Sequence, residues 1–111
     1  VIEKLTLFAT VEGNAAAGTL VGMFGVPKAA TQAKVQVTHA GTYPSGLIAN
    51  VVFSHNGTKY DNPASGAIAL SAAGFSQVID VSCENFMAIS IGTPGGSSEK
   101  VTYTVVFTLE K

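Results

Sequence analysis

The chain has 111 residues, 47% of them hydrophobic and 12% charged, with six cations against seven anions and a net charge of −1. Such a composition excludes intrinsic disorder, which requires low hydrophobicity or high net charge. Area scaling gives roughly 5,700 Å² folded against about 16,400 Å² extended, so a single domain over residues 1–111 can build a core without disulfides or metals.

Period-two alternation begins at once. Leu5, Leu7, Ala9 and Val11 face one way and Lys4, Thr6, Phe8 and Thr10 the other, the pattern of a half-buried strand. Gly13-Asn14 marks a turn, and Thr19–Phe24 forms the next short strand. Pro27 to Gln32 is long enough for one helical turn, with Pro27 at its start. Val35 and Val37 then alternate with Lys34, Gln36 and Thr38. From Leu47 to Phe53 both faces are partly apolar, which marks a central strand or an interface. Asn56-Gly57 predicts a type I′ hairpin between Val52–His55 and a short ninth strand at Thr58–Tyr60. Further strands are expected over Gly66–Ser71, Phe75–Val81 and Phe86–Ile91, with Asn62-Pro63 and Ala73-Gly74 as breaks. The TPGGSS loop, Thr93 to Ser98, is expected to be the most mobile segment. Last comes Val101–Leu109, with Val101, Tyr103, Val105, Phe107 and Leu109 against Thr102, Thr104, Val106 and Thr108. Eight short strands with turns throughout predict an all-β, antiparallel β-sandwich of jelly-roll type.

The charged residues argue against several chemistries. All six cations are lysines, and the nearest approach to a cluster is Lys28 and Lys34. Nucleic-acid binding draws on clustered cations and the arginine fork, so no such partner is expected. No apolar run reaches the length of a membrane helix, and no signal peptide is expected at VIEKLTLFAT. The lone Cys83 makes no internal disulfide and points to folding in a reducing cytoplasm. His39, His55 and Cys83 are too scattered for a structural zinc site, and Cys83 beside Glu84 lacks the positive setting of a reactive thiol. Asp61-Asn62 reads as a turn before Pro63 rather than as calcium ligation with Asp80 and Glu84. Neither Gly22–Gly25 nor Gly95-Gly96 opens a helix as a phosphate loop must, and Asn56-Gly57-Thr58 matches a glycosylation sequon only incidentally. With no tryptophan, Tyr43 and Tyr60 are the only groups placed to stack on a sugar. No acid–base pair or nucleophile constellation emerges, so no catalytic residue, cofactor or metal is assigned and no enzyme is expected.

Gln77 to Leu109 (QVIDVSCENFMAISIGTPGGSSEKVTYTVVFTL) runs as a strand ending in Asp-Val-Ser, a tight turn, a strand, a Gly/Ser loop and a Thr/Val-rich closing strand. In plan it resembles the C-terminal end of the small β-sandwich proteins that decorate or cement tailed-phage heads. The resemblance covers about a third of the chain and is one of style, without a motif residue to carry across. It implies a viral structural protein on the capsid surface, made in the host cytoplasm, with the major capsid protein as partner and a homotrimer as its assembly. The other function class expected is a tail- or fibre-associated module that binds a receptor or carbohydrate. Low charge and two-sided apolar strands also point to self-association. The strand from Ile2 to Thr10 is the candidate to extend a neighbour's sheet.

Overall fold

In the computed structural model the alternating segments become eight strands. They are β1 (Ile2–Glu12), β2 (Leu20–Gly25), β3 (Ala30–His39), β4 (Ile48–Ser54), β5 (Ile68–Leu70), β6 (Ile79–Asp80), β7 (Phe86–Thr93) and β8 (Lys100–Glu110). The structure describes residues 1–63, 66–72, 79–82 and 84–110. Cys83, the Ala73-Gly74 break and the first four residues of the strand expected over Phe75–Val81 lie outside the described residues. No helix forms among the described residues. The segment after Pro27 makes a single turn, closed by the Ala30 N–H on the Pro27 carbonyl at 2.9 Å. The strand pattern takes over from Ala30.

The strands build two four-stranded antiparallel sheets: sheet A in the order β1-β8-β3-β6 and sheet B in the order β2-β7-β4-β5. The pairing is nested, β1 with β8, β2 with β7, β3 with β6 and β4 with β5. A chain doubled into one long hairpin and then rolled gives this nesting, which makes the sandwich a jelly roll.

Alternation decides what enters the core. Val101, Tyr103, Val105 and Phe107 of β8 and Ala33 and Val35 of β3 point inward from sheet A. Ala49, Val51 and Phe53 of β4 and Met87, Ile89 and Ile91 of β7 meet them from sheet B. Full burial stabilises by about 1.5–3 kcal/mol per large apolar side chain, so these central rows dominate the favourable side of folding. The two-sided apolarity of Leu47–Phe53 now has its reason. β4 runs between β7 and β5, and Val52, on the side away from the core, is only 6% exposed.

The hairpin expected at Asn56-Gly57 is corrected. Asn56-Gly57 does not form a type I′ turn, because only Gly57 has positive φ, at 74°. Side chains organise this loop instead. The Asn56 Oδ1 accepts the Thr58 and Lys59 N–H groups at 2.8 and 3.1 Å, and the Ser54 Oγ accepts those of Asn56 and Gly57 at 3.3 and 3.0 Å. The loop closes at a bridge between Phe53 and Asp61, and no ninth strand forms at Thr58–Tyr60. The TPGGSS loop is bonded to two other loops. Gly95 N–H bonds the Gly13 carbonyl at 2.7 Å, and Gly96 N–H bonds the Ser45 carbonyl at 3.0 Å.

Candidate interaction surface

The residues with chemical potential are spread over the sandwich. His39 sits at the end of β3, its Nδ1 2.9 Å from the Gly41 carbonyl and its ring edge-on to Tyr43 at 5.4 Å between centroids. His55 lies at the opposite end, beside an open depression of about 320 Å³ that Asp61, Lys59 and Glu84 also line. Asp80 serves its own turn, where its Oδ1 accepts the Ser82 N–H and hydroxyl at 3.0 and 2.7 Å. Those bonds hold its carboxyl below the usual range. Among the described residues no three of His, Cys, Asp or Glu gather as metal ligands. Tyr43 is a brace rather than a platform, for its hydroxyl donates to the Leu47 carbonyl at 3.1 Å and its ring packs against the core. Its pKa is raised by that burial. A shallow depression of about 500 Å³ crosses the outer face of sheet A between Lys4, Gln32, Lys34 and Thr108, and among the described residues no carboxylate lines it.

What distinguishes the surface is one sheet edge. An open sheet ends in strands with a row of unused N–H and C=O groups, and folded proteins usually shorten, bulge or charge such strands. Among the described residues, the other three edges are shortened or bulged. β5 has three residues and β6 has two. β2 is broken by a bulge between Val21 and Phe24, where Gly22 takes φ 59°. β1 is different: it has eleven residues, an unbroken register against β8 and no proline, and its charges, Glu3, Lys4 and Glu12, stand only towards its two ends.

The geometry also says which residues line that edge. Gly13 N–H bonds the Glu99 carbonyl at 2.9 Å, directly continuing the β1–β8 ladder. Hydrogen-bonded pairs alternate with non-bonded ones in an antiparallel ladder, so the odd residues of β1 bond β8. The even ones, Ile2, Lys4, Thr6, Phe8, Thr10 and Glu12, turn their main-chain groups away from β8. Their side chains stand on the outer face of sheet A, since Ala9 and Val11 point inward. The same region gathers exposed apolar surface. Of six exposed large hydrophobic side chains among the described residues, four are Val1, Ile2, Leu5 and Phe8. Phe8 is 65% exposed in the middle of the strand.

The two sheets differ sharply in charge. No residue of β2, β4, β5 or β7 is charged, whereas sheet A carries Glu3, Lys4, Glu12, Lys34, Asp80, Lys100 and Glu110. Met23 and Ile48 stand exposed on sheet B.

No protein-family model matches the chain, and no curated protein matches it. Among solved structures, it is similar to the crystal structure of SPBc2 prophage-derived protein YomS, with a TM-score of 0.61 over 97% of this chain and 95% of that one. The two share 9% sequence identity, so the likeness is one of fold, and it extends through the whole sandwich.

Proposed function

We propose that the protein is a non-enzymatic structural component of a bacteriophage particle, placed on the outside of the head, where it stabilises the shell by binding the major capsid protein. The observation that carries this reading is the end-to-end fold match to a prophage-derived protein. The surface supports it. Sheet B presents small and apolar side chains without a charge, a face suited to close packing on another protein. A lasting contact needs roughly 800 Å² from each partner, and several copies on one shell add avidity.

The test is co-sedimentation with matching empty shells at low salt and at about 1 M salt, where the screening length falls to about 3 Å. Binding that survives both conditions is expected, because the docking face holds no ions to screen. Absence of binding, or its loss at moderate salt, overturns the proposal. Retention on host polysaccharide would then favour the receptor-binding module.

A further inference from the structure

We infer that β1 joins two copies of this chain about a two-fold axis, so that sheet A of one continues into sheet A of the other in a register centred on Phe8. The inference is independent of what the protein docks on. It starts from β1 as the one long and regular edge among the described strands, charged only towards its ends. Facing residues of an antiparallel pair share a face of the sheet. The axis must therefore pass beside one residue, and each choice of that residue fixes every pair.

Centring on Phe8 places Phe8 against Phe8 of the second copy at the axis, Thr6 against Thr10, and Lys4 against Glu12. Symmetry makes the last pair twice, so opposite charges meet at both ends of the ladder. On the inner side Leu7 meets Ala9 and Leu5 meets Val11, apolar against apolar. Centring on Leu7 gives a longer overlap but sets Glu12 opposite Ile2 and Glu3 opposite Val11. Centring on Thr6 sets Lys4 opposite Phe8 and leaves Glu12 beyond the ladder. Only the Phe8 register combines charge complementarity with burial of the exposed ring. It also uses the main-chain groups already aimed outward. Lys4, Thr6, Phe8, Thr10 and the Glu12 N–H would form roughly eight new hydrogen bonds across the axis, because the Glu12 carbonyl already accepts the Ala15 N–H at 3.0 Å.

The experiment is sedimentation equilibrium on the full chain, with circular dichroism confirming that each variant is folded. The wild-type chain is expected to be a dimer. Lys4→Glu and Glu12→Lys should each weaken it about tenfold, as two ion pairs become repulsive, and the double variant should restore it. Thr6→Pro removes an outward N–H while leaving the ladder to β8 intact, and should yield folded monomer. A further variant does not depend on weakening the contact. Phe8→Cys in a Cys83→Ser background should be joined between copies by a short bifunctional thiol reagent, because bonded antiparallel pairs hold Cα atoms about 5.5 Å apart, close enough to bridge but wide between Cβ atoms for a direct disulfide. A wild-type monomer or trimer, a dimer that persists in Thr6→Pro, a charge-swapped double variant without recovery, or Phe8→Cys that does not cross-link would each overturn the register.

Discussion

Tyr103 occupies the middle of β8, fully buried, in a row otherwise made of Val101, Val105 and Phe107. Among the described residues its hydroxyl has no partner within hydrogen-bond geometry, although Tyr43 lies close enough to influence its ionisation. A buried polar group without a partner costs about 1–3 kcal/mol. Tyr103→Phe is therefore expected to raise stability by about 1 kcal/mol, read as a higher urea midpoint at unchanged slope. The same site controls alkaline behaviour. Burial is the main cause that raises the Tyr103 pKa, and the neighbouring Tyr43 adds to it. The unfolded chain releases this proton near pH 10 while the folded one holds it. The contribution is thus fully present below about pH 10 and is lost as pH rises beyond it. Melting temperatures between pH 8 and 11.5 should fall on that limb, and less steeply in Tyr103→Phe.

At the scale of the elements, alternation was enough to find the strands, and it placed the long ones closely. Val101–Leu109 became Lys100–Glu110, and Phe86–Ile91 became Phe86–Thr93. The two-sided apolarity around Val51 left a central strand or an interface open, and β4 lies between β7 and β5. Turn chemistry was less legible, because Asn56-Gly57 satisfies a hairpin rule that Ser54 and the Asn56 side chain override by bonding the loop's own N–H groups. An edge strand leaves even less trace. Period two looks alike in a central and a terminal strand, and β1 became an edge only through pairing with residues about a hundred positions away. Phe8 could be assigned to the face opposite Leu7 from sequence, but its exposure depends on that long-range pairing. The β2 bulge, which distinguishes its edge from that of β1, depends on Gly22. A Cβ there would come 2.5 Å from the Ala9 Cβ and from the Phe24 ring, at a φ of +59° that side chains avoid. Gly22→Val should destabilise by about 2–3 kcal/mol or more, from backbone strain and overpacking together. Gly25→Ala, where nothing lies within 4 Å of the added atom, should stay within about 0.5 kcal/mol. Paired urea titrations check both.

Across the whole molecule, the rolled topology separates two kinds of surface, a charged sheet with one open edge and an uncharged sheet whose edges are short or bulged. Assembly along the first and docking through the second need not compete, so a dimer built on β1 leaves sheet B available. The nesting has a mechanical consequence as well. Because β1 and β8 are the outermost pair of the roll, Ile2 lies opposite Glu110, on adjacent strands about 5 Å apart. A tether pulling outward at those two points loads the β1–β8 ladder at one end and opens its pairs in succession, like a zipper. Handles at Glu12 and Glu110, at opposite ends of the ladder, would load all its hydrogen bonds together in shear. Single-molecule pulling should find the first geometry yielding at lower force. Equal forces would mean that the ladder does not bear the load. A sandwich of this kind resists strain directed along its strands and peels when strain reaches it through its paired ends.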